Sequence, residues 1–208
     1  GSVAWGDYDN DGDLDILLTG QDSGGGYNAL VYENQAGVFI TDTVGSANLT
    51  GAGSSSVDWG DYDNDGDLDI LLTGQGSGGH NALIYENQAG VFITDTVASQ
   101  NLTGVYNSSV AWGDYDNDGD LDILLTGYDG VGYNALVYEN RAGAFVTDTV
   151  ASANLTGVYR SSVAWGDTDN DGDLDILLSG WDSGLVPNAL VYRNDDCVAD
   201  LVITKTAD

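Results

Sequence analysis

The chain has 208 residues and a strong acidic excess, with 34 Asp and Glu against 4 Lys and Arg and a formal net charge of −30. This charge argues against nucleic acid and anionic membrane surfaces as partners, and no apolar run approaches the ~18 residues of a membrane-spanning helix. Hydrophobic residues still make up 42% of the chain, so the chain can bury a core and is not expected to be disordered.

The first part of the chain predicts four short strands, Ser2–Trp5, Ile16–Thr19, Ala29–Tyr32 and Val38–Val44. Each segment is rich in apolar, β-branched or aromatic residues and is bounded by Gly or Asn, which is typical of strands. Ile16–Thr19 is apolar without alternation, as expected for a strand that is buried on both faces. No segment combines the length and the periodicity of a helix.

The same unit occurs four times, and its acidic loop begins at Asp7, Asp61, Asp114 and Asp167. Four antiparallel strands in a unit of about 53 residues are the geometry of a propeller blade. We therefore predict an all-β fold, a β-propeller of four four-stranded antiparallel blades in one domain over 1–208, with blades at about 1–53, 54–106, 107–159 and 160–208. Such blades either close on themselves or form part of a larger or assembled array.

The last copy differs after its third strand, because residues 195–200 replace the usual Gln-Ala-Gly link. The segment 201–207 has the pattern of Val38–Val44, and we predict that it forms the fourth strand of the last blade. Two alternatives remain open, in which this segment begins a further domain or docks onto a neighbouring chain. The link contains Cys197, the single cysteine, which either pairs between chains or is a tolerated thiol.

An Asp-rich loop separates the first two strands of every unit. Five uncompensated carboxylates per loop would repel one another, so we expect a cation among them, and crowded carboxylates suit Ca²⁺ better than Mg²⁺. An EF-hand would need Glu at the twelfth loop position, where this chain has Leu18, Leu72, Leu125 and Leu178. We predict about four Ca²⁺ ions, one in each loop.

The motif A-W-G-D-Y-D-N-D-G-D-L-D-I-L-L-T-G, followed by N-A-L-V-Y-E-N, resembles the FG-GAP / VCBS-type repeat of integrin α-subunit propellers and secreted bacterial proteins. The resemblance spans residues 1–194. It implies that side-chain oxygens of the first, second, third and fifth Asp of each loop bind calcium, together with the backbone carbonyl of the fourth. The implied ligands are Asp7, Asp9, Asp11, Asp13 and Asp15; Asp61, Asp63, Asp65, Asp67 and Asp69; Asp114, Asp116, Asp118, Asp120 and Asp122; Asp167, Asp169, Asp171, Asp173 and Asp175.

The units differ most in the loops between their second and third strands. Because antiparallel strands alternate in direction, these loops lie on the face opposite the acidic loops. Variation on one face of a repeat scaffold is typical of a binding site, although neutral drift in tolerant loops explains it equally well. Aromatic and His side chains make this face a candidate ligand site: Tyr27, His80, Tyr128, Tyr133 and Trp181.

Four Asn residues begin N-glycosylation sequons, Asn48, Asn101, Asn107 and Asn154. They would be modified on exposed inter-blade loops if the source can N-glycosylate, although the repeat alone also explains why three of them recur. The sequence has no nucleophile elbow, zinc pattern or phosphate-binding loop. We therefore do not expect an enzyme.

These observations predict an extracellular, calcium-stabilised β-propeller that acts as an adhesion or ligand-binding module for a protein or carbohydrate. The extracellular location, as a secreted or cell-surface protein, follows from the modest calcium affinity, roughly 10⁻⁴–10⁻³ M, of extracellular modules. One alternative is a structural subunit of a surface fibre built from copies of the chain. A third interpretation is the non-catalytic propeller of a larger secreted enzyme.

Overall fold

The computed structural model describes residues 1–194 and the backbone of residues 201–204. Over these residues the chain is 57% strand and 5% helix and forms four four-stranded antiparallel sheets. The strands of each sheet follow one another in chain order, and no sheet is hydrogen-bonded to the next. This is the arrangement of blades in a propeller-like fold. The predicted all-β fold is therefore confirmed. The first blade consists of β1 (Ser2–Gly6), β2 (Asp15–Gln21), β3 (Tyr27–Gln35) and β4 (Val38–Asp42).

The other three blades repeat this order. The second contains β5 (Gly53–Gly60), β6 (Asp69–Gly76), β7 (Gly79–Gln88) and β8 (Val91–Asp95). The third contains β9 (Tyr106–Gly113), β10 (Asp122–Tyr128), β11 (Tyr133–Arg141) and β12 (Ala144–Asp148). The fourth contains β13 (Tyr159–Gly166), β14 (Asp175–Trp181), β15 (Pro187–Asn194) and β16 (Leu201–Thr204).

The segment predicted as the last strand takes the fourth position of its blade. β16 pairs antiparallel with β15, from Val191 opposite Thr204 to Asn194 opposite Leu201. The link 195–200 with Cys197, and residues 205–208, lie outside the described residues.

Two short helices follow the fourth strands of the second and third blades, α1 (Thr96–Ser99) and α2 (Thr149–Asn154). The sequence did not predict them, because they are too short to show a helical period. Asp95 and Asp148 act as their N-caps, and each carboxylate accepts hydrogen bonds from two backbone amides of the first turn. Neither helix is long and apolar enough to cross a membrane.

The core lies between the blades, in three hydrophobic clusters that join consecutive blades. We call the face toward the preceding blade the leading face, the face toward the following blade the trailing face, and each contact between them a joint. In the second blade the leading face consists of Val57, Trp59, Ile70, Leu72, Tyr85 and Phe92. Its trailing face consists of Tyr62, Leu71, Ala82 and Ile84. The second strands β6 and β10 are buried on both faces from their first residue to their sixth. In β2, for which burial on both faces was predicted, burial alternates and Ile16 and Leu18 are half-buried, because no blade precedes the first one in the structure.

A Trp on a Gly defines every joint. Trp59 lies so close to Gly6 of the first blade that a Cβ atom at Gly6 would meet the indole at 2.7 Å. The ring also stacks on Tyr8, with centroids 6.1 Å apart. Any larger residue would therefore displace the indole. The same contact joins Gly60 to Trp112 and Gly113 to Trp165.

The row of blades is open at both ends. On the leading face of the first blade, Val3 and Trp5 are 65% and 60% exposed, whereas the equivalent Trp59 of the second blade is 8% exposed. On the trailing face of the fourth blade, Leu177 is 52% exposed, whereas the equivalent Leu71 is fully buried. Within the described residues, no hydrophobic cluster joins the fourth blade to the first.

Candidate calcium loops and an aromatic row

The four acidic loops connect the first and second strands of their blades, so they all lie on one face of the molecule. Each loop brings three carboxylates together, with one oxygen of each within 4.8 Å of the others. The clusters are Asp7, Asp9 and Asp15; Asp61, Asp63 and Asp69; Asp114, Asp116 and Asp122; Asp167, Asp169 and Asp171.

The first loop shows how the sequence builds this cluster. Asn10 and Gly12 adopt φ values of +59° and +94°, which turn the chain tightly. The turn lets the backbone amides of Asp11 and Gly12 donate to the two carboxylate oxygens of Asp7, at 3.0 Å each. Asp13 donates its amide to the Asp11 carboxylate at 2.8 Å. Asp11 and Asp13, two of the implied ligands, therefore lie in the turn, outside the three-carboxylate cluster.

The last Asp of each loop begins the second strand and is buried. Asp15 accepts hydrogen bonds from the backbone amides of Tyr8 and Asn34, at 3.2 and 2.8 Å. Burial raises the pKa of Asp69 and Asp122 to about 7 and also raises the pKa of Asp15, because a buried carboxylate loses its hydration. In each of these loops, burial thus disfavours the charge on the last carboxyl group, and a bound cation would offset this cost.

No basic side chain of residues 1–194 pairs with a carboxylate of the first three loops, since the two ion pairs there are Arg141–Glu139 and Arg193–Asp169. In the third loop, the Asp114 Oδ1 atom is buried and has no hydrogen-bond partner among the described residues. An uncompensated all-oxygen set with an orphaned carboxylate oxygen fits a hard divalent cation such as Ca²⁺. The chemistry of the loops therefore agrees with the predicted cofactor, and the identity of the ion stays a prediction.

Each of the first three loops is also linked to the loop of the following blade. Asn10 donates its side-chain amide to the Asp67 carboxylate at 2.8 Å. The same bond recurs from Asn64 to Asp120 at 2.9 Å and from Asn117 to Asp173 at 2.7 Å. The fourth Asp of each later loop thus orders the loop before it, a role that no repeat pattern reveals.

The fourth loop departs from the other three. Thr168 replaces the buried tyrosine, and Arg193, which replaces a glutamate of the other blades, places its guanidinium 3.3 Å from Asp169. Burial acts to raise the pKa of Asp175, but hydrogen bonds from Thr168 and Asn194 outweigh it and lower the pKa. In this loop the cluster contains Asp171 in place of the buried last Asp.

The opposite face carries a continuous row of aromatic side chains, which we call the aromatic row. It consists of His80, Tyr106, Tyr128, Tyr133 and Tyr159. Neighbouring ring centroids are 4.6 to 5.6 Å apart, and every member is partly exposed. The row crosses from the second blade to the fourth, so three blades contribute to one surface.

The predicted ligand residues divide into two groups. The structure brings His80, Tyr128 and Tyr133 together in the aromatic row. The other two residues, Trp181 and Tyr27, are not members of the row. Trp181 is 43% exposed and pairs with Tyr159 across neighbouring strands. Tyr27 packs against Gly53, where a Cβ atom would lie 2.8 Å from the Tyr27 ring.

Sequence reasoning missed two members of the aromatic row, Tyr106 and Tyr159. Both follow an inter-blade loop at the start of a first strand, away from the variable loops. One signal was available, because Gly-Val-Tyr in the last two copies replaces Gly-Ala-Gly of the second copy. Arg160 adds a cation to this end of the row, with its guanidinium 5.6 Å from the centre of the Tyr159 ring.

Two of the four sequon residues lie at joints. Asn48 and Asn101 each donate a side-chain amide hydrogen to a backbone carbonyl of the following blade, at 3.0 Å. Asn154 donates to Val150 in α2, and Asn107 adopts a φ of +48°. Glycosylation at these four residues stays a prediction.

Comparison with known proteins gives a family model and a fold. The FG-GAP-like repeat model matches residues 7–72, and no curated protein matches the sequence. Seventeen chains of solved structures match. One is a fucose lectin from Kordia zhangzhouensis in complex with methyl-fucoside, with a TM-score of 0.49, 12% identity, and coverage of 71% of this chain and 96% of the lectin.

Another is a rhamnogalacturonan lyase of Bacillus licheniformis, with a TM-score of 0.50 and 15% identity. It covers 92% of this chain, which spans 46% of the lyase. Both neighbours have β-propeller-like folds. At these identities the likeness concerns the fold alone.

Proposed function

We propose that this chain, whose residues 7–72 carry the FG-GAP-like repeat, is a calcium-stabilised propeller that binds an extracellular carbohydrate ligand without catalysing a reaction. The observation that carries the proposal is the division of the molecule into two faces. One face holds four clusters of carboxylates, and the other holds the aromatic row. The first face stabilises the scaffold, and the second presents a binding surface.

The calcium part of the proposal follows from charge. Each of the first three loops holds its carboxylates within 4.8 Å of one another without a basic partner in residues 1–194. A bound Ca²⁺ ion removes this repulsion and fixes the connection between the first two strands of each blade. Because an ion that binds only the folded state stabilises it, each site adds about 2.7 kcal/mol when free Ca²⁺ is 100 times its dissociation constant.

The ligand part follows from the aromatic row. Sugar rings present apolar C–H faces that pack on aromatic rings, and aromatic side chains give contact area at low entropic cost. Tyr133 and Tyr159 stack with an interplanar angle of 10°, which holds both rings in fixed positions. Arg160 lies over the ring of Tyr159, and the Asp129 carbonyl lies 3.1 Å from Nδ1 of His80. Both residues therefore stand beside the row and can bond the hydroxyl groups of a sugar. A carbohydrate is therefore the ligand class that these residues suit best.

Isothermal titration of Ca²⁺ into chelated protein tests the first part. We expect about four binding events and a melting temperature that falls in EDTA and recovers with Ca²⁺. Mg²⁺ at the same concentration serves as the control and should recover little of the change. Protein that binds no Ca²⁺ and melts at the same temperature in EDTA would contradict the calcium assignment.

A glycan array probed with the labelled chain in Ca²⁺ buffer tests the second part. The matched variant is Tyr128→Gln, because Gln21 and Gln75 occupy the equivalent position in the first two blades. We expect the binding of any glycan hit to fall at least about tenfold, as for an aromatic hot spot. Val131→Ser, at a valine that is 93% exposed in the loop that follows Tyr128, should leave the binding unchanged. A chain that binds no glycan, or a Tyr128→Gln variant that binds as the unchanged chain does, would count against this site.

A further inference from the structure

The two open ends of the molecule carry the two halves of a joint. At each internal joint, the Trp of a leading face covers the Gly that ends the first strand of the preceding blade. Trp5 is the corresponding Trp of the first blade, and it is 60% exposed. Gly166 is the corresponding Gly of the fourth blade, and no group of the described residues lies within 4 Å of the place where its Cβ would be.

The exposed leading face is already formed. Trp5 contacts Phe39 with ring centroids 5.7 Å apart. The buried pairs Trp59–Phe92 and Trp112–Phe145 have nearly the same separations, 5.6 and 5.7 Å. The first blade therefore presents the surface that the second and third blades bury, and docking it would cost little rearrangement.

We propose that a second copy of this chain covers these faces, with the leading face of its first blade on the trailing face of the fourth blade of its neighbour. The argument is continuity, since the same two surfaces already pack together at three joints inside the chain. Such a contact is heterologous, so repeated association gives a closed ring or an open row of copies, depending on the rotation at the joint.

Polar side chains at the ends are also in place for this contact. At the internal joints, the side-chain amides of Asn87, Asn140 and Asn194 donate to a carbonyl in the loop of the preceding blade, at 2.9 to 3.1 Å. Asn87 and Asn140 also donate to Leu68 and Leu121 of their own loops, and the equivalent Asn34 makes this second bond alone, to Leu14. In the assembled state Asn34 of one copy would reach the backbone carbonyl of Thr168 in the next.

One difference makes the new joint weaker than the internal ones. Tyr8, Tyr62 and Tyr115 stack on the Trp of the following blade, whereas the fourth blade has Thr168 at this position. The joint between copies therefore lacks one aromatic stack. Association is expected to be reversible and to depend on concentration.

The joint would also bring the fourth acidic loop of one copy close to the first loop of the next. With a net charge of −30 on each ion-free chain, repulsion opposes this approach, and bound Ca²⁺ reduces it. The inference rests on the proposed function only through this effect of calcium. Measurement in EDTA at high salt, where the charges are screened, separates a failure of the joint from a failure of calcium binding.

The test is the mass of the particle, measured by sedimentation velocity over a range of concentrations in Ca²⁺ and in EDTA with high salt. Two variants each block one end. Trp5→Glu places a charge on the leading face, and Gly166→Leu fills the place of the indole on the trailing face. Both positions are exposed, so each variant should fold as the unchanged chain does. Val131→Ser is the control for an unrelated exposed change.

We expect the unchanged chain and Val131→Ser to associate as concentration rises, and each blocking variant to remain monomeric. An equal mixture of the two variants should form dimers and nothing larger, because the mixture offers one intact face of each kind. A monomer at every concentration in both buffers would overturn the inference. Association that neither variant weakens, or variants that associate alone as well as together, would overturn it too.

Discussion

The first three acidic loops and the fourth have almost the same sequence, but only the first three lie against a following blade. Tyr8, Tyr62 and Tyr115 of these loops are buried below 8% exposure and donate to an Asp at the end of the fourth strand of their own blade. Thr168 at the same place is exposed. The difference shows that the packing of an acidic loop depends partly on the blade that follows it and not only on the residues of the loop.

The largest expected effect comes from a methyl group added at a joint. Gly113→Ala would place a Cβ 2.6 Å from Trp165, whereas Gly166→Ala meets nothing within 4 Å. We expect Gly113→Ala to lower the free energy of unfolding by about 2–3 kcal/mol, because overpacking forces the indole out of its position. Gly166→Ala should change it by less than about 0.5 kcal/mol. Chemical unfolding in the presence of Ca²⁺ measures the free energy of unfolding of both variants. Equal losses would mean that Gly113 is no more closely packed than Gly166.

The second prediction removes one carboxylate charge from an internal loop. Asp122→Asn keeps the shape of a buried ligand, so we expect calorimetry to count one Ca²⁺ fewer and the stabilisation by Ca²⁺ to fall by up to about 2.7 kcal/mol at 100 times the dissociation constant. In EDTA the variant should be as stable as the unchanged chain at pH 7 or more so, since burial raises the pKa of Asp122 to about 7.

The control for this prediction is Asp22→Asn, which removes the same charge from the opposite face. Asp22 lies outside every carboxylate cluster, and an asparagine can still accept the amide bonds of its loop. Its Ca²⁺ count should therefore stay the same. If Asp122→Asn binds as many ions as Asp22→Asn, Asp122 is not a ligand.

A smaller effect is expected where the fourth loop carries its own cation. Arg193 partly neutralises Asp169, while the other blades have Glu33, Glu86 and Glu139 at this position. Arg193→Glu should therefore raise the Ca²⁺ affinity of the fourth loop several-fold, about 1 kcal/mol for an exposed charge pair. Titration of the variant in the background of Asp15→Asn, Asp69→Asn and Asp122→Asn isolates the fourth loop, and a weaker fourth site would contradict the expected role of Arg193.

The smallest effect distinguishes two joints of the same kind. Asp58 lies at the second joint and accepts from the backbone amides of Trp59 and Trp112, whereas the other blades have Ala4, Ala111 and Ala164 there. Burial raises the pKa of Asp58, so the folded state holds this proton to higher pH than the unfolded state does. The stability from this group is present below about pH 4 and is lost as pH rises through the raised pKa.

Asp58→Ala should therefore stabilise the chain by roughly 0.5–1 kcal/mol at neutral pH, and the gain should shrink as pH falls toward 4. Unfolding of both proteins in EDTA at each pH gives the difference without interference from Ca²⁺. A gain that grows on acidification would mean that Asp58 is better solvated than its surroundings indicate.

The sequence predicted the strands and the acidic loops well, because both depend on local patterns. The unbroken apolar run of Ile16–Thr19 and its repeats marked the second strands, and the alternating Asp residues marked the loops. Burial on both faces holds for β6 and β10 but not for β2. The division into covered and open faces could not be predicted, since it depends on how blades meet. Trp5 and Trp59 have nearly the same local sequence, with Ala4 in place of Asp58, but exposures of 60% and 8%.

Three of the five members of the aromatic row were predicted, and the other two were missed because they meet the row through contacts that the local sequence does not show. His80, Tyr128 and Tyr133 belong to loops that vary between units and so attracted attention. Tyr106 and Tyr159 start strands at the edge of an inter-blade loop. The register of the third sheet brings Tyr106 beside Tyr128, and the contact between the third and fourth blades brings Tyr159 beside Tyr133. A contact between residues of neighbouring blades cannot be predicted from the spacing of residues within one repeat.

The position of the core between blades has a consequence for how the chain folds. Because the apolar clusters join consecutive sheets, a single blade would have almost nothing to bury, and the smallest cooperative unit is a pair of blades. Folding can begin at any of the three joints and spread to its neighbours, while the first and fourth blades, each held on one side only, should open most often. Amide hydrogens in β6 and β10 should therefore exchange last, and those in β1 and β13 first.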